Sequence, residues 1–134
     1  MSVRSLASAS RIFCPMHKIN LDEKLALFSA HWTPKIIAEL NDQHVKLVKF
    51  RGEFVWHQHA HEDEMFYVVR GGFRMEFRDR TVALGAGDMI VVPRGVEHRP
   101  VADEEVCVML FEPAATVNTG SAGGEKTVAQ PEWI

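Results

Sequence analysis

Between Lys35 and Phe111 the apolar runs are short, and turn-forming residues interrupt them at intervals of about eight to twelve residues. Lys35 to Leu40 and His44 to Phe50 flank Asn41-Asp42-Gln43, which predicts a hairpin; a helix opening at Thr33-Pro34 is the competing reading. Met65 to Val69 is strongly strand-forming and ends at Gly71-Gly72, read as a two-residue turn because glycine takes positive φ without steric cost. Phe73 to Arg78 alternates, with Phe73, Met75 and Phe77 inward and the charges outward. Asp79-Arg80 and then Gly85 to Asp88 turn the chain, and Thr81 to Leu84, Met89 to Val92 and Val106 to Phe111 supply further strands that stop near Pro113. Upstream, Asp22 to Ser29 has acids in its first turn and good helix formers, so one short helix or turn is expected there. The pattern predicts an all-β fold: an antiparallel closed or two-sheet barrel with a short N-terminal helix and loop-rich termini.

Length and charge narrow this further. At 134 residues the chain is expected to form one domain. Its predicted parts are an arm over 1–21, the barrel over 22–113 and a C-terminal extension over 114–134. The arm contains Arg4, Arg11 and Lys18, no acid, and serines at 2, 5, 8 and 10. That composition is like an organelle transit peptide, but a loosely packed arm is the favoured reading, and Met16 offers a second possible start. In the extension, Thr119 to Gly124 reads as a loop, and Trp133-Ile134 is expected to fold back or to contact a partner subunit. The net charge of -3, with no broad basic stretch, argues against a nucleic-acid partner. The longest apolar runs fall far short of the roughly 20 residues that span a bilayer, so no membrane partner is expected. Cys14 and Cys107 lie in very different settings, which makes a disulfide framework improbable and a reducing, cytoplasmic location the expectation.

The chemistry concentrates in Trp56-His57-Gln58-His59-Ala60-His61-Glu62-Asp63-Glu64. In an extended strand His57, His59 and His61 share one face, with Trp56 and Gln58 on the other. Downstream, Asp88 to Val92 reads as a buried strand entering a rigid turn that contains Pro93, Gly95 and His98. Imidazole nitrogens with a carboxylate suit a borderline divalent metal, and the assigned ligands are His57, His59, Glu64 and His98. Glu64 would be brought back by a turn over Ala60 to Asp63, lining the interior with Phe66 and Val68. Four protein ligands leave one or two positions for water, substrate or dioxygen, the condition for catalysis. His61 offers a rival pairing with His59 and is read as a rim residue. His17, His31 and His44 are read as structural or solvated. Phe54, Trp56, Phe66, Phe73 and Phe77 are read as barrel core. Arg94 and Arg99 flank the last ligand, where they serve either an anionic substrate or a solvated turn. Tyr67 has the parity of the outer face.

These residues carry a family resemblance. Gly52-x4-His57-x-His59-x4-Glu64-x6-Gly71 resembles the first cupin motif, and Gly87-x5-Pro93-x-Gly95-x2-His98 resembles the second position by position. The departures are four residues between Gly52 and His57 where five are commonest, and Ala102 where many members have asparagine; neither removes a ligand. The resemblance covers about residues 35 to 112. It implies a small single-domain jelly-roll barrel (a double-stranded β-helix), a homodimer as the usual assembly, and one divalent transition metal ion per chain, iron, manganese, zinc or nickel, held by three histidines and a glutamate. The expected function is that of a metal-dependent enzyme on a small molecule, of dioxygenase or of isomerase or lyase type. The alternative is a non-catalytic module that binds or senses a sugar or another small molecule. Fold and motif do not fix the reaction.

Overall fold

In the computed structural model, which describes residues 16–134, one short helix, α1 (Leu21–Leu25), precedes the strands β1 (Lys35–Leu40), β2 (Gln43–Glu53), β3 (Glu64–Arg70), β4 (Gly72–Phe77), β5 (Thr81–Gly85), β6 (Met89–Val92), β7 (His98–Pro113) and β8 (Glu132–Trp133). Asn20 caps the helix, its side chain accepting from the Glu23 N–H. The first hairpin forms because Asn41 and Asp42 both take positive φ, 48° and 61°, the left-handed pair of a two-residue turn that matches strand twist. Leu40 pairs with Gln43 and the ladder runs back to Lys35 opposite Leu47, so the hairpin reading holds over the helix at Thr33-Pro34.

The long strand β7 joins the two sheets. Its first part pairs with β4, Phe77 opposite His98 and Arg74 opposite Val101; its second part pairs with β3, Val68 opposite Val108 and Met65 opposite Phe111. Along its other edge it pairs with β2. One sheet therefore runs β5, β4, β7 and the end of β2, and the other runs β6, β3, β7, β2, β1 and β8. The hydrogen-bonded path does not return on itself, so the fold is a two-sheet jelly roll and not a closed ring.

Two local expectations are corrected. The strand predicted over Val106 to Phe111 extends back to His98, through Pro100 and the acids Asp103, Glu104 and Glu105. Those acids are exposed where β7 passes from one sheet to the other, so their charges stay solvated inside a ladder that local patterning could not reveal. The second correction concerns Gly71-Gly72, which is not a hairpin turn. β3 and β4 pair with different parts of β7, and Gly71, at φ 91°, carries the chain between them. A Cβ on Gly71 would stand 3.0 Å from the Glu105 carbonyl oxygen.

Alternation sorts the strands into an inner and an outer face. Val48 and Phe50, Phe66 and Val68, Phe73 and Met75, and Val108 and Leu110 fill the space between the sheets, each such side chain contributing about 1.5–3 kcal/mol on burial. On the outer face of β2 and β7, Leu47 and Cys107 pack under Leu25 of α1. Lys49 Nζ donates to the Leu25 and Phe28 carbonyls at 2.9 and 2.7 Å, closing the end of that helix. β8 lies parallel to β1, and the Ile134 N–H donates to the Ile36 carbonyl, so Trp133-Ile134 fold back on their own chain. Cys107 is buried and free, whereas Cys14 and most of the expected arm lie outside the described residues. Among the described residues no helix is long and apolar enough to cross a membrane.

Candidate metal centre

The segment from His57 to Asp63 bends at Ala60 and His61 and forms no continuous ladder, which corrects the picture of a histidine strand. A single bridge holds it: the His57 N–H donates to the His98 carbonyl at 3.1 Å and the His98 N–H to the His57 carbonyl at 2.9 Å. That exchange lays the first histidine motif against the second. Gly95, at φ 80°, brings its N–H within 2.8 Å of the His59 carbonyl. Arg94 donates from its backbone and its guanidinium to the Asp63 carboxylate, clamping the two turns together. The same hydrogen bonds hold the Asp63 carboxyl below its usual range.

This scaffold brings His57, His59, Glu64 and His98 together, all buried, with one ligand atom from each lying within 4.8 Å of the others. His57 and His98 each place Nδ1 2.9 Å from a carbonyl, that of Val55 and that of Val96. A carbonyl only accepts, so Nδ1 carries the hydrogen and Nε2 keeps its lone pair. His59 Nε2 and His98 Nε2 lie 3.2 and 3.5 Å from Glu64 Oε1. Neither contact has hydrogen-bond geometry, and all three atoms are buried without a partner. Orphaned buried polar atoms are expensive, and three of them converging from two imidazoles and a carboxylate form a donor set that a divalent ion would satisfy. Burial, reinforced by the neighbouring His98, pushes the His57 imidazole down to about 4, which favours the neutral form a metal requires. Burial alone would raise the Glu64 carboxyl, but contacts with His59, His98 and Glu112 outweigh it and hold the group well below the usual carboxylate range.

His61 is exposed on the bend and lies outside this group. His31 meets Glu105 at 2.8 Å, and His44 meets Glu39 at 3.5 Å and the edge of Trp133. Both flanking arginines have carboxylate partners, Arg94 in Asp63 and Arg99 in Glu76 and Glu53. Trp56 is not core. It lies on the outer side, with the Arg78 guanidinium 3.9 Å from its ring centre.

A cavity of about 30 Å³ opens beside His57 and Glu64. Aromatic rings of Trp32, Phe50, Phe54 and Phe66 dominate its lining, and no lysine or arginine contributes. Trp32 is stacked on Phe50 and Phe54 with ring centres 4.5 and 4.7 Å apart, and its Nε1–H donates to the Arg51 carbonyl. Its φ of 59° is rare for a bulky residue and marks a position held by its surroundings. Asn118, from the C-terminal segment, is the lining polar residue outside the quartet. That segment is read from sequence as a loop, and it forms a wall of the site. The Ser121 N–H donates to the Gln58 carbonyl, and a Cβ on Gly120 would collide with that carbonyl at 2.2 Å and meet His59 Nδ1 at 3.0 Å. No spacing or motif signals this wall.

The chain is similar to known proteins in sequence and in fold. A family model described as the cupin domain matches residues 44–112. A cupin-2 domain protein of Shewanella frigidimarina, solved by crystallography, is 53% identical, covers 71% of this chain and 93% of its own, and superposes with a TM-score of 0.70. KdgF from a Halomonas species is 34% identical over 60% of this chain and 78% of its own, with a TM-score of 0.53. The Bacillus subtilis protein YdbB is 42% identical over 64 residues, 47% of this chain, and the matched stretch spans 57% of YdbB.

Proposed function

The chain belongs to the cupin domain family, and we propose that it is a metal-dependent enzyme acting on a small, largely apolar molecule, with His57, His59, Glu64 and His98 as ligands of one divalent transition ion. The observation that carries this reading is the set of orphaned donor atoms, His59 Nε2, His98 Nε2 and Glu64 Oε1, buried beside an aromatic cavity. A bound ion would supply a Lewis-acidic or redox centre there. The chain's own part is to keep His57 and His98 in the correct tautomer, to exclude bulk water with Trp32 and the C-terminal wall, and to offer the substrate an apolar surface. Of the expected reaction types, the cavity supports dioxygen chemistry over isomerisation. An isomerase of sugar phosphates needs a cation for the phosphate and a separately positioned proton carrier, and among the described residues lining the cavity only Asn118 is polar outside the quartet and the hydrogen-bonded indole of Trp32. A space of about 30 Å³ holds about two waters at most, so any larger substrate requires its lining to move.

The test is elemental analysis of untagged protein reconstituted with iron, manganese, zinc and nickel in turn, beside Glu64→Gln and His98→Ala. One ion per chain in the wild type and none in either variant is the expected result, followed by substrate-dependent oxygen uptake by the iron or manganese form. A wild type that stays empty refutes the metal reading. A loaded protein that binds small apolar molecules without turnover is a binding module instead.

A further inference from the structure

Two more charges share the inner face with the quartet. Alternation along β2 places Lys46 with Val48 and Phe50, and along β7 it places Glu112 with Val108 and Leu110. Both side chains are 2% exposed or less, and Lys46 Nζ donates to Glu112 Oε2 at 2.7 Å. Lys46 lies opposite Leu110, one diagonal step from Glu112. Met65 lies opposite Phe111, so Glu64 falls opposite Glu112 on the neighbouring strand. Directly opposed residues of an antiparallel pair hold their Cβ atoms about 4.5–5.5 Å apart, so the two carboxyl groups are neighbours on the inner face. Glu112 Oε1, like Glu64 Oε1, is buried without a partner.

Stability is a weak account of this pair, although Lys46 Nζ also donates to the Thr116 carbonyl at 3.5 Å and so ties down the segment after β7. Desolvating two charges cancels most of their attraction, and apolar side chains of similar size would serve a core position at least as well. Nor is the pair needed to link the sheets, because β2 and β7 already pair along almost their whole length. Its distinguishing feature is its place, directly behind a carboxylate that faces His59 and His98.

We propose that Lys46 and Glu112 are positioning residues, in which Glu112, anchored by Lys46, fixes the orientation of the Glu64 carboxylate and thereby sets how tightly, and in what geometry, the quartet holds its ion. Groups behind a metal ligand commonly change affinity by about 10–100-fold when removed, and an anchored carboxyl limits the rotamers open to Glu64. Lys46 supplies the countercharge that lets a second carboxylate remain buried beside the first.

The inference rests on the quartet being the metal site, so the test separates the two. Cobalt(II) affinity is measured by competition with a chromophoric chelator, and the visible absorption of the cobalt-loaded protein reports ligand geometry. Wild type is compared with Glu112→Gln, which keeps the shape, and with the double variant Lys46→Met/Glu112→Leu, which replaces the pair by apolar groups and remains able to fold if either single change does not. Affinity weakened about 10–100-fold with a shifted cobalt spectrum, in variants whose far-ultraviolet circular dichroism matches wild type, is expected. Wild-type affinity and an unchanged spectrum in either variant overturn the positioning role, even if thermal stability falls, because that pattern is packing alone. A wild type that binds no cobalt removes the metal reading itself, and this inference with it.

Discussion

β2 carries two buried lysines on opposite faces, and they have different partners. Lys49, on the outer face, donates to the Leu25 carbonyl at the end of α1 and to the Phe28 carbonyl just beyond it. Lys46, on the inner face, meets the carboxylate of Glu112. A cation on carbonyl dipoles answers a local need, since a helix end must be satisfied wherever it is buried. A cation on a carboxylate deep between two sheets answers no such need; beside Glu112, Lys46 reaches the Thr116 carbonyl at 3.5 Å, and Glu112 lies opposite Glu64. The outer layer of the molecule is therefore built for closure, and the proposed function gives the inner layer, at the end that carries Glu64, its different purpose.

Ligand loss separates the two layers most sharply. His98→Ala, at a position with 0% exposure, is expected to abolish bound metal in elemental analysis. Leu47→Ala, equally buried on the outer face, is expected to cost about 2–5 kcal/mol of stability in chemical denaturation while leaving metal content at wild-type level. Should both lose the ion, the layers are not independent.

The lysines come next. Lys46→Met alone strands the Glu112 charge in the core and should cost about 3–5 kcal/mol. Lys49→Met leaves the Leu25 and Phe28 carbonyls without this donor and should cost about 1–3 kcal/mol. Equal losses in urea titrations would erase the distinction drawn between them.

A smaller effect is expected at the C-terminal wall. Gly120→Ala places a Cβ 2.2 Å from the Gln58 carbonyl oxygen at a φ of 49°, so the wall must shift off Gln58 and His59. Weaker cobalt binding, by about tenfold, with a lowered melting temperature from the strained φ, is the expected outcome; unchanged affinity would mean that the wall does not support His59. Least of all should His61→Ala matter. Its side chain is exposed and outside the quartet, so metal content and melting temperature should match wild type, and a lost ion would bring His61 into the ligand set.

The gathering of His57, His59, Glu64 and His98 was legible because the residues that bend the chain lie in the same short motifs as the side chains they aim. The turn after Pro93 and the positive φ of Gly95 are local properties that aim the chain toward β7, where the bridge to His57 and the pairing with Phe77 hold His98. The Lys46–Glu112 pair was within reach of the same alternation that placed Phe66 and Val68 inside, had it been continued along β2 and β7. What concealed it was the ordinary assumption that charges face water. Trp56 shows the opposite error, an aromatic residue assigned to the core that spends its ring on two surface guanidinium groups.

The chain by itself determined the all-β class, the first hairpin and the four inward donors, because alternation, turn chemistry and motif spacing are all settled within a few residues of one another. Only the tertiary structure decided that β7 runs from His98 through Pro100 and three exposed acids to Pro113, that Glu112 stands behind Glu64, and that Asn118 and Gly120 wall the site. Each of these depends on partners far away in sequence, and a segment's own pattern carries no record of the strand or carboxylate it will meet.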